Sequence, residues 1–321
     1  MDHMSDVFRR PDALQRGATD RELQRMCNTG RWRRLRPGSF ADSTEFDALD
    51  AVAQHRVRAG SALRAASADA VLSHQSAAVV HGLDLWHTPL RTVHLTRNRR
   101  TGGSRSALRH VHSAGLDGSE VVEVDGRRVT SLARTVVDLA RTLPFEQALV
   151  AGDHALHSTA LTPDLLEDAL GSIAGRPGSR RARRVVDHLD GRAESVGESR
   201  SRAMFVRKHL PLPDLQPNLY SDEGEHLGRV DLLLEEHHVI GEFDGRVKYG
   251  RLVPTGLVPA DVLWDEKLRE DRLRDAGWQV VRWTWDELAT PQAIIERVHR
   301  AIGRARKCPP PTGHIERTPK P

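Results

Sequence analysis

The chain has 321 residues, of which 38% are hydrophobic and 29% are charged, and its mean hydropathy is −0.50. This length predicts roughly two domains, and the composition excludes a membrane protein, a fibrous or collagen-like protein and a coiled-coil rod. No apolar run approaches the roughly 18 to 20 residues of a spanning helix, and the N-terminal residues lack the apolar core of a secretory signal. We therefore expect a cytoplasmic protein without a membrane partner. Cys27 and Cys308 are too far apart in sequence to predict a disulfide framework or a thiolate zinc site.

The net charge of +4 is unevenly distributed along the chain. Residues 1–41 hold nine Arg against five acidic residues, and residues 176–192 hold six Arg against two Asp. The rest of the chain is acidic overall. Two basic segments therefore flank or interrupt an acidic body, which favours an anionic partner such as DNA.

The first predicted domain, residues 1–42, combines two short helices with a basic hairpin. Thr19 is the expected N-cap of the second helix, which should end near Gly30. The hairpin that follows projects four arginines and turns at Pro37-Gly38; the four are Arg31, Arg33, Arg34 and Arg36. A helix-turn-helix reads bases with one helix, while a neighbouring wing contacts phosphates with cations. The alternative is a solvated hairpin that contacts another domain or another protein.

Residues 5–41, and especially the stretch GRWRRLRPGSFAD, resemble the N-terminal winged-helix domain of AbiEi-type antitoxins. The resemblance implies a winged helix-turn-helix that binds DNA. Members of that family repress their own operon and neutralise a nucleotidyltransferase-like toxin. It therefore also implies a cognate toxin protein as a partner.

Residues 43–175 are predicted to form an α+β middle domain. The segments EFDALDAVAQHRVRAG and ADAVLSHQSAAVVHGLDLW indicate helices, RTVHLTRN and ALRHVHSAGL indicate strands, and VVEVDGRRVTS indicates a hairpin with an Asp125-Gly126 turn. The segment SLARTVVDLARTL has the apolar stripe of a helix, and Thr162-Pro163 begins another helix that ends near Gly175. The stretch HQSAAVVHGL also resembles proteins of the antitoxin-like group.

This middle domain carries a group of histidines that raises a metal hypothesis, because imidazole is a common zinc ligand. The group comprises His74, His81, His87, His94, His110 and His112. They fall in predicted helix, loop and strand segments without paired ligand spacing, and several alternate with Val or Leu as half-buried residues do. We therefore reject a zinc site at these residues.

Residues 176–194 are predicted to be a basic linker. Gly175, Pro177 and Gly178 interrupt regular structure before a short helix. This helix carries four arginines, Arg180, Arg181, Arg183 and Arg184. They could lie along DNA, or they could belong to a solvated linker or a cationic helix face packed on the acidic body.

The segment GRVDLLLEEHHVIGEFDG, which begins at Gly228, predicts a β-hairpin with two neighbouring carboxylates. A symmetric turn at residues 235–238 places Leu233 opposite Ile240 and Asp231 opposite Glu242. Opposed side chains have Cβ atoms about 4.5 to 5.5 Å apart, so this carboxylate pair requires compensation. Mg²⁺ would provide it. Salt bridges from Arg229, Lys248 or Lys267, or a raised carboxyl pKa, are the alternatives.

At these residues the chain resembles the PD-(D/E)XK nucleases, in particular the very-short-patch-repair-like group. The resemblance implies that Asp231 and Glu242 hold Mg²⁺, or Mn²⁺ in its place. A lysine two residues after the second acid assists the attacking water in the superfamily, but here that residue is Asp244. Lys248 matches the last place of the E-x-D-G-x-x-H/K pattern of the group.

The flanking segments agree with such a domain over residues 195–306. The first helix begins at Ser195, and Glu198 matches an acidic residue that superfamily members place there. Ser195 and Glu198 also have the spacing of a capping box, in which Glu198 would only accept a backbone hydrogen bond. A charged helix, a strand with Trp278 and Trp283, and an amphipathic helix follow. We expect residues 307–321 to be disordered.

The sequence thus predicts an α+β multidomain protein. It would have an N-terminal winged helix-turn-helix, a middle α+β region, and a C-terminal α/β restriction-endonuclease-like core with a mixed sheet flanked by helices. The predicted function is DNA binding joined to Mg²⁺-dependent hydrolysis of DNA phosphodiester bonds. The alternatives are a non-catalytic DNA-binding antitoxin or transcriptional repressor with an inactive nuclease-like fold, and a structural adaptor.

Overall fold

The computed structural model describes residues 7–99, 101–245 and 260–320, and every element below lies in these ranges. The fold is mixed α/β and divides into two compact units. The first unit comprises the chain up to residue 151 and residues 161–187, and the second comprises residues 152–160 and those from 188 onwards. Lys248 lies outside the described residues. In the parts of the chain that are described, no helix has the length and apolarity needed to cross a bilayer.

The first unit begins with short helices and strands that contain the basic hairpin. The elements are β1 (Phe8–Arg9), α1 (Arg10–Gln15), α2 (Asp20–Asn28), β2 (Trp32–Arg36) and β3 (Ser39–Asp42). The strands form an antiparallel sheet in the order β1-β3-β2. Thr19 and Glu22 form a capping box at the start of α2, which confirms Thr19 as the N-cap. Gly30 follows the helix with a φ of 73°, a conformation that glycine adopts without strain.

The rest of the first unit is a mixed sheet with helices, in the strand order β6-β7-β5-β4-β9-β8. Its first elements are α3 (Ser43–Ala48), α4 (Ala51–Arg64), β4 (Ala70–Leu72), α5 (His74–His81), β5 (Val93–Asn98), β6 (Ser104–Arg105) and β7 (Arg109–Ala114). They are followed by β8 (Val121–Val124), β9 (Arg127–Thr130), α6 (Leu132–Thr142), α7 (Phe145–Ser158), α8 (Pro163–Ser172) and α9 (Ser179–Val186). The residues of α7 are divided between the two units.

Most of these elements agree with the sequence pattern, but two predicted helices differ from it. The segment EFDALDAVAQHRVRAG contains two helices, α3 and α4, with a break at Leu49 and Asp50. The predicted hairpin is present as β8 and β9, and Asp125 and Gly126 both have the positive φ of its two-residue turn. The prediction of helix from residue 68 onwards was wrong at its start, because Ala70–Leu72 form strand β4. All three residues of β4 are buried, and a short, fully buried strand shows no alternation that would distinguish it from a buried helix.

The second unit contains two sheets. Its elements are α10 (Val196–Arg207), β10 (Asp214–Leu215), β11 (Asn218–Tyr220), β12 (His226–Arg229), β13 (Leu232–Leu234), β14 (Val239–Asp244), α11 (Ala260–Asp275), β15 (Gln279–Thr284), α12 (Trp285–Ala289), α13 (Gln292–Ala305) and β16 (His314–Glu316). One sheet has the order β10-β13-β14-β15, in which β14 and β15 are parallel. The other has the order β12-β11-β16 and is antiparallel.

The β13–β14 hairpin has the register that the sequence predicts. Leu233 pairs with Ile240, and Leu234 pairs with Val239. Both faces of the hairpin are buried near the turn. Leu234 and Val239 belong to one core cluster, whereas Leu233 and Ile240 belong to another with Trp278.

The C-terminal residues also differ from their prediction. Instead of a disordered tail, His314–Glu316 form β16, which pairs with β11. Tyr220 on β11 donates a hydrogen bond of 3.0 Å to Glu316 and stacks on His314. The sequence pattern missed this strand because its pairing partner lies about a hundred residues earlier.

Candidate functional site

Asp231 lies at a bend between β12 and β13, where the chain passes from one sheet to the other. The sequence placed it on a continuous strand opposite Glu242, and this is the part of the hairpin prediction that was wrong. Its Oδ2 instead accepts a hydrogen bond of 2.9 Å from the backbone N–H of Phe243, the residue after Glu242. The backbone of β14 therefore holds the carboxylate in place.

The electrostatic surroundings of Asp231 disfavour its charged form. The pKa of Asp231 is raised to about 6, chiefly by burial and also by the charges of Glu198 and Glu242, against the opposing effects of the Phe243 N–H and Arg269. Glu198, Asp231 and Glu242 are therefore electrostatically coupled. The sequence predicted these carboxylates as a set, and the structure brings them into one region.

Arginines compensate the charge of Glu242. Arg269 on α11 lies 2.7 Å from its Oε1, and Arg282 on β15 lies 2.5 Å from its Oε2. Neither was among the expected compensating cations. Arg229 pairs with Glu194 at 2.8 Å instead, and Lys267 is exposed.

Glu198 is bound to groups around the start of α10. Its Oε1 accepts a hydrogen bond of 2.7 Å from the Ser195 hydroxyl, and its Oε2 accepts one of 2.9 Å from the backbone N–H of Glu194. The amide of Gln216 donates to the same Oε2 at 2.9 Å. The capping interpretation of Glu198 therefore has direct geometric support, although the backbone donor lies one residue before the N-cap.

The contacts of Glu198 and Glu242 show whether these carboxylates could bind Mg²⁺ in their present arrangement. Both oxygens of Glu198 and both oxygens of Glu242 already interact with groups of the protein. Among the described residues, the group that places three potential ligand atoms within 4.8 Å of one another is made of histidines, not of these carboxylates. The arrangement therefore does not fit the ion. Asp244, the last residue of β14, is half-buried where the superfamily carries its lysine.

The four hairpin arginines do not have equivalent surroundings. Arg31, Arg33 and Arg34 are exposed; Arg33 pairs with Asp47 at 2.5 Å, and Arg34 donates to Gln24 at 2.9 Å. Arg36 turns inward instead, and its Nε donates to the carbonyl oxygen of Ser61 at 3.0 Å. Arg36 was predicted to project, and this prediction was wrong.

The four arginines of the predicted linker lie on a helix, α9. Arg180, Arg181, Arg183 and Arg184 are exposed, whereas two residues of the same helix, Ala182 and Val185, are fully buried. Arg183 pairs with Glu167 on α8 at 2.6 Å. The segment around them is therefore part of a packed helical layer rather than a free linker.

The exposed polar face of α2 was not predicted from the sequence. Its exposed residues Arg21, Gln24, Arg25 and Asn28 recur at helical spacing, while Leu23 is buried. Gln24 donates to Asn28 at 2.8 Å and accepts from Arg34 of the hairpin. The signal in the sequence was the spacing of these polar residues along the predicted helix.

The structure also brings together histidines that the sequence reasoning treated as separate. His94 on β5 and His112 on β7 approach to 3.0 Å between Nδ1 and Nε2, and the ring of His74 stacks on that of His112 at 3.9 Å. His94 and His112 converge because β5 and β7 are adjacent parallel strands, although they lie in separate segments of the sequence. The signal was the H-x-H spacing at 110 and 112, which places both rings on one face of a strand.

No family model matches the chain. Two proteins of Mycobacterium tuberculosis are similar to it: uncharacterized protein Rv2248 of strain ATCC 25618 / H37Rv and uncharacterized protein MT2308 of strain CDC 1551 / Oshkosh. Each is 33% identical over 190 residues, which cover 59% of this chain and 67% of the relative. The chain belongs to the family of Rv2248. The crystal structure of the RV2827C protein from Mycobacterium tuberculosis aligns with a TM-score of 0.39 and 16% identity, over 56% of this chain and 71% of that one.

In this member of the Rv2248 family, we expect Asp231→Asn to stabilise the second unit near neutral pH. Because the folded state raises the pKa of Asp231 to about 6, the favourable contribution of the protonated group is complete below about pH 4 and is lost as the pH rises to 6. The amide removes this loss, and up to about 3 kcal/mol of unfolding free energy should be gained at about pH 7.5. Urea unfolding at about pH 7.5 and about pH 4 would measure it.

The control for this variant is Asp222→Asn, which changes an exposed carboxylate of the same unit. It should alter the unfolding free energy by less than about 0.5 kcal/mol at either pH. A stability of Asp231→Asn equal to or below that of the wild type at about pH 7.5 would contradict the assigned electrostatics.

Proposed function

We propose that the protein binds DNA through the first part of its first unit, with α2 as the helix that reads bases. The exposed polar face of α2 carries this proposal. Arg21, Gln24, Arg25 and Asn28 belong to the residue types that form paired hydrogen bonds with the edges of guanine and adenine in the major groove. The order of α1, α2 and the β2–β3 hairpin, with β1 added to the sheet, supports a winged-helix assignment.

The exposed arginines of the hairpin would contact phosphates beside the reading helix. Arg34 donates to Gln24, so the hairpin lies directly against α2. The pair between Arg33 and Asp47 is about half exposed, and such pairs stabilise a protein little. Phosphate oxygens could therefore replace the aspartate at low cost. Arg36 has no such role in the proposal, since it is turned toward Ser61.

We expect Arg25→Ala and Arg31→Ala to weaken DNA binding in different ways. Duplexes would first be selected from a random-sequence library on the immobilised full chain, and affinities would then be measured by fluorescence anisotropy. Arg25→Ala should cost about 1–3 kcal/mol on the selected sequence and relax its specificity. Arg31→Ala should weaken binding to all sequences and reduce the slope of log affinity against log salt by roughly 0.9.

Arg36→Gln is the matched control, because it removes the same charge from the same hairpin. Its DNA affinity should stay within about threefold of the wild type. Equal losses of DNA affinity in Arg36→Gln and Arg31→Ala would mean that the losses come only from the change in net charge. Wild-type affinity in Arg25→Ala and Arg31→Ala would overturn the proposal.

The second unit supports the proposal of an endonuclease-like core that does not hydrolyse DNA. Helix α10, the β13–β14 hairpin, helix α11, strand β15 and helix α13 follow one another in the predicted order, with β10 to β12 inserted before the hairpin and α12 before the last helix. Strands β14 and β15 are parallel, as in a crossover unit. Arg269 and Arg282 compensate Glu242, and the position of the superfamily lysine holds Asp244. A DNA-binding regulator, as the antitoxin resemblance implies, agrees with these contacts. Neutralisation of a toxin stays a prediction of that resemblance.

Phosphodiester hydrolysis is the second candidate function, and one observation favours it. The pKa of Asp231 is raised partly by Glu198 and Glu242, as expected where acids are gathered for a cation. The selected duplex, single-stranded DNA and plasmid would be incubated with Mg²⁺ or Mn²⁺ and the wild type, Asp231→Asn or Glu242→Gln. We expect no cleavage of any of these substrates by any of the three proteins. Cleavage by the wild type that both variants lose would establish the nuclease function instead.

A further inference from the structure

We propose that His74, His94 and His112 form a binding site for a divalent transition metal of the zinc class. One ring nitrogen from each residue lies within 4.8 Å of the other two. The Nδ1 of His94 and the Nε2 of His112 are already 3.0 Å apart. Two nitrogens at about 2.0–2.1 Å from a tetrahedral Zn²⁺ lie a little over 3 Å apart, so His94 and His112 are already close to ligand spacing. The ring of His74 is stacked on that of His112, so one of these two rings would have to turn for both to face the ion.

The topology explains how residues distant in sequence converge here. Strands β5 and β7 are parallel neighbours, with His94 opposite His110 and Thr96 opposite His112. Side chains alternate along a strand, so these four residues share one face of the sheet. His74 reaches them from the start of α5, directly after β4, which pairs with β5 on its other edge.

The contacts of Ser73 fix the ring of His74. Ser73 occupies the N-cap of α5, yet its hydroxyl does not cap the helix. It lies 3.0 Å from the Nδ1 of His74 and accepts a hydrogen bond of 2.8 Å from Thr96. A ligating histidine commonly has its second nitrogen held in this way, and the arrangement leaves Nε2 of His74 for a metal. His74 also has a φ of 50°, a strained value for a non-glycine residue that its surroundings must maintain.

The imidazoles are in the protonation state that a metal requires. Burial lowers the pKa of His94 to about 4, and it lowers the pKa values of His74 and His112 well below their usual range. A neutral imidazole can bind a cation without net release of a proton, but one of the two rings joined by the contact between His94 and His112 would have to shift its proton to its other nitrogen. These effects accompany the geometry and would not by themselves define a site.

Carboxylates compensate two of the arginines around the cluster. Buried Arg134 pairs with Glu120 at 2.7 Å and with Asp138 at 3.1 Å. Arg141 pairs with the same Asp138 at 3.2 Å. Glu120 and Asp138 thus oppose the charges of Arg134 and Arg141, whereas Arg105 disfavours the charged form of His94 and adds to the positive field that a bound cation would meet.

A cavity of about 380 Å³ lies beside the cluster. His74 and His112 form part of its wall, and Arg105 and Arg141 contribute cationic groups. Three protein ligands leave a fourth position on a tetrahedral ion, as in zinc sites that hold water or an exchangeable ligand. Water or a small anion is the fourth ligand that this cavity fits.

Titration of Co²⁺ into the metal-free full chain tests the site, because tetrahedral Co²⁺ gives intense visible absorption bands. We expect one equivalent to bind and Zn²⁺ to displace it. His94→Gln and His112→Gln should each weaken binding at least tenfold, since even residues behind the ligands change metal affinity about 10- to 100-fold. Metal analysis after equilibrium dialysis against Zn²⁺ would give the stoichiometry independently.

His110→Gln is the matched control, because His110 stacks on His112 at 3.8 Å but lies outside the group of three nitrogens. It should bind within about threefold of the wild type. Circular dichroism would verify folding, and Zn²⁺ should raise the Tm of the wild type and of His110→Gln but not that of His112→Gln.

Three results would overturn the proposal. The first is the absence of saturable Co²⁺ or Zn²⁺ binding by the folded wild type. The second is undiminished binding in both His94→Gln and His112→Gln, or an equal loss in His110→Gln. The third is a thiolate-to-cobalt charge-transfer band, which would assign the ion to a cysteine such as Cys27.

Discussion

Arg134→Met is expected to lower the free energy of unfolding of the first unit by about 3–5 kcal/mol. The guanidinium is 1% exposed and bridges Glu120 and Asp138, and the side chain of Asp138 is itself 1% exposed. Removing the cation leaves buried negative charge with incomplete compensation, which costs more than the ion pair contributes when intact. Chemical denaturation followed by circular dichroism would measure the loss.

The control for this prediction is Arg99→Met, which removes an arginine that is 53% exposed and pairs with Asp69 at 2.9 Å. Exposed pairs contribute about 0–1 kcal/mol, so this variant should remain close to the wild type. Replacing Arg134, Asp138 and Glu120 together by apolar residues should recover much of the stability lost in Arg134→Met. A loss in Arg134→Met no larger than that in Arg99→Met would show that the network is not desolvated.

Helix α6, which carries Arg134, shows which part of the fold its sequence predicts. The apolar spacing of Leu132, Val136, Leu139 and Leu143 predicts the helix and one buried stripe. The last three are buried, and Leu132 is half-buried. Arg134 and Asp138 have the i,i+4 spacing of an ordinary surface pair. Their burial depends on the elements that surround α6 on its other sides, and no local pattern contains that information.

In the two candidate sites, too, the local features were predictable from the sequence and the long-range ones were not. The hairpin register around Leu233 and Ile240 is a local property of turn and strand, so it was predictable. The bend at Asp231 was not, because a single Asp between Val230 and Leu232 does not indicate that the chain changes from one sheet to another. The convergence of His74 with His112 depends on the order of strands β4, β5 and β7, which is set by long-range pairing.

The sequence also did not predict that arginines compensate the charge of Glu242. Cations were expected at Arg229, Lys248 or Lys267, the basic residues near the hairpin or on the next helix. Arg269 and Arg282 reach Glu242 because α11 and β15 follow β14 in a parallel crossover. Since a nuclease and an inactive relative would differ in these very contacts, the choice between them depends on side chains that only the tertiary fold brings together.

Trp283→Ala should destabilise the second unit by about 3–5 kcal/mol. Trp283 is 0% exposed and packs in the core cluster on one face of β14, the strand that carries Glu242. A Cβ on Gly241 would lie 2.5 Å from the Trp283 ring, so only glycine at this position leaves room for the indole. The alanine leaves a cavity under β14, which should appear in thermal or urea unfolding as an early transition of this unit.

A polar contact of the same indole allows the packing loss to be separated from the hydrogen bond. The Nε1 of Trp283 donates to the Ser201 hydroxyl at 2.7 Å, and that hydroxyl donates to the carbonyl oxygen of Gly197 at 2.7 Å. Trp283→Phe keeps most of the ring volume and removes the donor. In a double-mutant cycle with Ser201→Ala, we expect a coupling energy of about 1 kcal/mol. A coupling near zero would mean that the indole stabilises α10 and β15 through packing alone, and a small loss in Trp283→Ala would contradict its place in the core.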